Sequence, residues 1–268
     1  MSSLKSRVLV SVVGIPLLLC VVLLAPDVVI MAALAILAGI AAHELMDCVG
    51  VKGNDFLHIW TVIAAVTTVG GYYSWEQLIP AFWAFYLMVA LFYAIIKGGE
   101  VKFMSVAAGI VAAMLIPYSF SAFLRIEALD FHRAYLLLPF ILSFGCDTFA
   151  YFVGCTIGKH KLAPKVSPKK SVEGAIGGLL GNVLCGLMFA FVLERWLGGS
   201  VGYAAMAILA LLCGVVAQIG DLSFSLIKRE FGIKDYGKLF MAHGGVLDRF
   251  DSVLFVTPML EIVLNFVR

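Results

Sequence analysis

The stretch Asp221–Asp251 reads D-L-S-F-S-L-I-K-R-E-F-G-I-K-D-Y-G-K-L-F-M-A-H-G-G-V-L-D-R-F-D. An apolar run, 204–218, leads into it and another, 253–266, leads out. The chain of 268 residues is 62% hydrophobic and only 13% charged, yet nearly half of its charges lie here and in one other segment, Lys159–Glu173. With a mean hydropathy of +1.04, runs of near-spanning length recur along the whole sequence. That pattern predicts an all-α, polytopic integral membrane protein. Charge at a membrane boundary is costly to bury and marks function, so the chemistry is expected in these two clusters.

Nine spans are predicted, at 8–25, 28–47, 57–73, 78–96, 103–123, 134–157, 172–194, 203–227 and 246–266. Lys5 and Arg7 before the first run resemble a signal peptide, but no A-x-A site ends it and Pro26 follows, so it reads as a retained helix. With the N-terminus cytosolic, one side of the membrane carries fourteen Lys and Arg residues and the other four. Arg249 lies inside the last span. That asymmetry places both charged clusters together on the cytosolic face. The sequence reads as a single membrane domain, 1–268, with N-terminal helices (1–133) as scaffold and lipid access, and C-terminal helices (134–268) carrying the site. No internal repeat is visible. The six cysteines have no metal-type spacing, and no acidic or basic tail suggests nucleic acid.

Asp221 lies about two turns before the end of the eighth span. Asp248 and Asp251 fall three residues apart in the first turns of the ninth, on one face of a helix. Carboxylates meeting there would repel without a cation, and hard oxygen donors favour Mg²⁺ with substrate phosphates completing its shell. The alternative is a set of interfacial ion pairs around Asp248 and Arg249. Directly before the ninth span, Ala242-His243-Gly244-Gly245 lets backbone approach a phosphate or forms an ordinary turn. His243 is either a phosphate donor or an interfacial polar residue.

In the second cluster Pro164 and Pro168 exclude a helix, Ser171 is the expected N-cap of the seventh span, and Glu173 falls in its first turn. Lys169 and Lys170 beside that helix start point to phosphate. Lys159, Lys161 and Lys165 suit phosphate and anionic headgroups equally. Asp147 is mid-helix, lining a polar cavity or packing helices. His43 and Glu44 near the end of the second span are weaker candidates, and His58 with Thr61 makes the third span the least apolar. Overlapping G-x-x-x-G spacings in Gly174–Gly181 predict close helix packing, within the chain or across a homodimer.

S-L-I-K-R (Ser225–Arg229), then Lys234-Asp235, then H-G-G-V-L-D-R-F-D (His243–Asp251) resembles the motif of the CDP-diacylglycerol synthase (phosphatidate cytidylyltransferase) family, S-x-x-K-R-x4-K-D-x5-P-G-H-G-G-x-x-D-R-x-D. Met241-Ala242 stands in place of Pro-Gly. The upstream S-P-K-K-S-V-E-G (Ser167–Gly174) is similar to the family's S-P-K-K-T-x-E-G. The resemblance implies condensation of CTP with phosphatidic acid to CDP-diacylglycerol and pyrophosphate, dependent on Mg²⁺, with one cation or two. It further implies a multi-pass protein of the inner (cytoplasmic) membrane with its site facing the cytosol. On the matching positions, Asp221, Asp248 and Asp251 would hold metal. Lys228 and Arg249 would act with Asp221 and Asp248 in catalysis. Asp147, Ser167, Lys169, Lys170, Ser171, Ser225, Arg229, Lys234, His243, Gly244 and Gly245 would bind substrate. Rival readings are an ion-coupled transporter using Asp147 and Asp221, a cytidylyltransferase for another lipid, or a lipid kinase.

Overall fold

The computed structural model describes residues 3–53, 55–129, 132–199, 201–239 and 244–267. It is a helical membrane protein, with one small sheet among the described residues. Helices α1 (Ser3–Leu24), α2 (Asp27–Cys48), α3 (Phe56–Ser74) and α4 (Ile79–Ile96) are followed by α5 (Phe103–Ile110) and α6 (Ile116–Glu127), which a π-turn joins into one rod. Then come α7 (Leu138–Ile157), strands β1 (Lys161–Ala163) and β2 (Ser167–Ser171), α8 (Val172–Trp196), α9 (Tyr203–Glu230), the single turn α10 (Leu247–Phe250) and α11 (Val253–Val267).

Among the described residues, seven helical stretches are long and apolar enough to cross a membrane, from α2 to α9 with the α5–α6 rod as one. The first and last expected spans are occupied by α1, of 22 residues, and α11, of 15. The ninth span is shorter than expected. Asp251 turns its carboxylate onto the Ser252 N–H (2.7 Å), and that local bond competes with the helical ladder. The helix expected over 246–266 is therefore split, with Asp248 in a separate turn and Asp251 in the break.

Two compact units emerge. The first comprises 1–125 with the charged loop 231–249, and the second 126–230 with 250–268. In the first unit α2 and α3 pack side by side, with Ala38, Ala41, Ala42, Leu57, Ala64 and Ala65 fully buried. Tyr86 of α4 joins that core and shares a hydrogen bond with Thr61 (2.8 Å). The π-turn has a cause in the sequence. Pro117 has no N–H to give the carbonyl of residue 113, four residues back. The Thr68 hydroxyl donates to that Ala113 carbonyl instead (3.1 Å), and the Trp83 indole N–H donates to Thr68 (3.2 Å). In hydrocarbon such a freed group must find a protein partner.

In the second unit α7 lies against α8 at backbone distance. A Cβ on Gly174 would stand 2.7 Å from the Ala150 carbonyl, and one on Gly178 2.9 Å from that of Cys146. The G-x-x-x-G spacing is thus spent on packing within the chain. Asn182 of α8 donates to the Ala210 carbonyl of α9 (2.7 Å), while α9 meets the start of α11 at Gly220, whose absent side chain admits the Asp251 carbonyl. Between α7 and α8 the chain forms an antiparallel hairpin, with Lys161 opposite Ser171 and Ala163 opposite Ser167. The prolines exclude a helix there as expected, but the hairpin itself was not expected. Pro164 sits in its turn, and a two-stranded ribbon consists only of edges, where Pro168 is tolerated.

Candidate active site

Asp147 and Asp221, Lys169, Lys170 and Ser171 line one cavity of about 440 Å³ in the second unit. Residues far apart in sequence meet there because α7, β2 and α9 converge. Asp221 projects from α9 and forms an ion pair with Lys170 of β2. Asp221 has no basic neighbour in sequence, and tertiary structure supplies one. Ser225, one turn on, donates its hydroxyl to Asp221 Oδ1 (3.3 Å). The Arg229 Nε–H donates to the Val166 carbonyl in the hairpin turn (3.3 Å), tying the end of α9 to β1–β2. In this unit, then, the two charged clusters do come together.

Ser171 is the N-cap of α8, as expected, and accepts the Gly174 N–H (3.1 Å). Its oxygen therefore serves the helix while forming part of the cavity wall. Glu173 takes a role that sequence spacing does not reveal. Its carboxylate accepts the backbone N–H of Lys159 (3.0 Å) and pairs with the His160 ring (2.6 Å), closing the hairpin back onto the helix. Ser167 begins β2, opposite Ala163 and outside the cavity lining.

Gln218 is a cavity residue that sequence reasoning passed over. It stands three residues before Asp221 on the same face of α9 and donates to the Ala175 carbonyl (2.9 Å). A polar amide at i−3 from an intramembrane carboxylate was the available signal.

Asp251 is buried at the α9–α11 junction, where Asp147 and Asp221 repel its charge and Lys228, also buried, attracts it. Asp147 and Asp221 line the cavity and Asp251 feels the charge of both without being part of its wall; carboxylates are hard oxygen donors of the kind that suit a divalent cation such as Mg²⁺. Asp147, expected among the substrate-binding residues, lies in the wall of the same cavity as Asp221.

Asp248, Arg249, Lys234, Gly244 and Gly245 belong to the first unit. Asp248 is buried, and its Oδ2 accepts the backbone N–H of Tyr236 (2.7 Å) and of Gly245 (3.0 Å). One carboxylate thereby pins both ends of the loop 236–245. Gly244 adopts a φ of 82°, a left-handed conformation open to glycine, with the Asp248 carboxylate packed against it. Lys234 and Arg249 are exposed. His243 lies outside the described residues.

Glu44 carries more of this loop than its sequence position suggests. It is 5% exposed, and its two oxygens accept the N–H groups of Val246 and Leu247, each at 2.9 Å. Those are the free donors at the start of α10, capped by a carboxylate some two hundred residues away. Gly237 and Gly245 both press on it, leaving no room for a side chain. Glu44 and Asp248 together fix the backbone of the glycine loop.

The chain matches the model of the Cytidylyltransferase family over residues 5–267. It is 30% identical to a phosphatidate cytidylyltransferase of Staphylococcus epidermidis, an alignment covering 97% of this chain and 98% of the relative. It is 32% identical, with the same coverage of both, to a phosphatidate cytidylyltransferase of Staphylococcus aureus. A third relative of that description, from Staphylococcus haemolyticus, is 30% identical over 97% of this chain and 98% of its own.

Proposed function

The chain belongs to the cytidylyltransferase family, and on that premise we propose that it joins CTP to phosphatidic acid, forming CDP-diacylglycerol and releasing pyrophosphate, as part of phospholipid synthesis. The observation that carries the reading is the cavity in which Asp147, Asp221, Lys169, Lys170 and Ser171 meet. Its volume of about 440 Å³ falls in the range of small-molecule sites.

In this reaction a phosphate oxygen of the lipid attacks the α-phosphorus of CTP. The new P–O bond forms as the bond to the β-phosphate oxygen breaks, and pyrophosphate takes the electron pair. A phosphate monoester with a second pKa near ~6 is already largely ionised at neutral pH, so no strong general base is needed. The demand on the protein is charge neutralisation between two anions and alignment of the attack. Lys169 and Lys170 supply positive charge at the cavity wall. Lys170 is held by Asp221 until a phosphate offers a second partner. Lys228 and Arg229 add basic charge in the second unit, with Ser167 and Ser225 as hydrogen-bonding contacts to substrate; Lys234, His243, Gly244, Gly245 and Arg249 are assigned to substrate or catalysis by the family motif alone. Asp221 and Asp251 of the second unit would hold Mg²⁺, one ion or two, which when bound screens phosphate charge; Asp248 is assigned to the metal by the family motif alone. Asp147 lies in the wall of the same cavity as Asp221.

The positive-inside asymmetry supports a cytosolic N-terminus and a site opening to the cytosol from the inner membrane. CTP then arrives from water, while the lipid enters sideways from the leaflet. Purified protein with CTP, phosphatidic acid and Mg²⁺ in mixed micelles should yield pyrophosphate and CDP-lipid in equal amounts. Release of a nucleoside diphosphate with no pyrophosphate would instead identify a lipid kinase, and the proposal would fall.

A further inference from the structure

Outside the cavity and the glycine loop, one more cluster of ligating side chains stands in the first unit. His43 and Asp47 lie four residues apart on the last turns of α2, and His58 lies in the first turn of α3. One ligating atom from each falls within 4.8 Å of the others. We propose that these three residues form a zinc site that clasps the end of α2 to the start of α3.

The hydrogen bonds leave His58 oriented as a metal ligand. The His58 side chain is 3% exposed, and its Nδ1 lies 3.0 Å from the Val51 carbonyl. A carbonyl only accepts, so Nδ1 carries the proton and Nε2 keeps its lone pair. Metal-bound histidines are typically oriented in this way, with the second ring nitrogen donating to a backbone carbonyl. That Nε2 faces His43 Nδ1 at 2.7 Å. Asp47 stands beside both rings, 3.4 Å from His43 Nε2 and 3.7 Å from His58 Nδ1. At hydrogen-bond distance the two nitrogens are too close to share one ion, so the rings would move apart by about half an ångström as it enters. Two imidazoles and one carboxylate are a borderline-soft donor set that selects zinc over Mg²⁺, with water completing four-coordination. His43 and Asp47 are half exposed, so the ion has a path from solvent. Glu44, which caps α10, is the residue next to His43, so the clasp would stiffen the turn that presents it.

The test uses untagged full-length protein in detergent, stripped of metal and then kept in excess Mg²⁺ to occupy oxygen-only sites. Zn²⁺ is titrated calorimetrically and Co²⁺ by visible absorption. The expected result is a single tight equivalent with the strong bands of tetrahedral Co²⁺. His43→Gln and Asp47→Asn, both at exposed positions, should each weaken Zn²⁺ binding by at least about tenfold. Zn²⁺ should raise the melting temperature of the wild type more than that of either variant. Equal binding by wild type and variants, or no binding by any, overturns the proposal. Neither readout depends on catalytic activity.

Discussion

Asp221 and Lys170 form the pair on which the proposed chemistry turns at the scale of single residues. Each is the other's counter-charge across α9 and β2, so deleting either exposes the other. Asp221→Asn should lower turnover by at least about a hundredfold, measured as pyrophosphate release. Lys170→Ala should mainly raise the apparent KM for CTP. The double variant should lose less than the sum of the two, because the second deletion removes a charge already left unpaired. Strict additivity would mean that the pair does not act as a unit. Asp248→Asn keeps an oxygen that can accept from Tyr236 and Gly245 while removing the charge. It should abolish turnover and leave the detergent-solubilised protein folded. Near wild-type activity would remove Asp248 from the proposed metal site.

At the scale of elements, the start of α10 and the π-turn of α5–α6 are the places where helix-end physics governs. Glu44→Ala would leave the buried N–H groups of Val246 and Leu247 without partners. The expected cost is about 1–3 kcal/mol per unsatisfied group, read as a lower melting temperature in detergent. Glu44→Gln retains one acceptor and should recover part of that loss. Thr68→Val removes the hydroxyl that serves the Ala113 carbonyl and should cost about 1–2 kcal/mol. Between α7 and α8 the limit is volume. Gly178→Val would force the helices apart at the Cys146 carbonyl and move Asp147, one residue along α7, relative to the cavity. Both stability and turnover should fall. An unchanged melting temperature would mean that this helix contact is looser than the structure has it.

At the scale of the whole molecule the testable statement is sidedness. The hairpin Lys161–Ser171 and the loop 231–239 should both be labelled by membrane-impermeant amine reagents from the cytosolic side of oriented vesicles, and neither from the other side. Labelling of the two from opposite sides would break the proposed topology. The membrane class follows from composition, because spanning helices need long apolar runs and those recur along the chain. The second through eighth expected spans each have their helix, whereas the ninth was overextended. Asp251 and its bond to Ser252 depend on a turn that hydropathy does not register.

The sequence by itself determined the helical membrane architecture, the family, and the two charged stretches that supply most residues of the proposed site. Each of these is written locally, in hydropathy or in fixed spacings such as Ser225–Asp251. It also indicated Ser171 as a helix cap, since capping acts over three residues. Tertiary structure alone decided which charges face each other. Lys170 at Asp221 and Glu44 on the N–H groups of α10 are contacts across 51 and 202 positions. No local periodicity encodes such pairs. They arise because glycines, at α7–α8 in the second unit and at Gly237 and Gly245 beside Glu44 in the first, let backbones approach closely enough for buried polar groups to find partners. In a membrane those groups have few other partners to find.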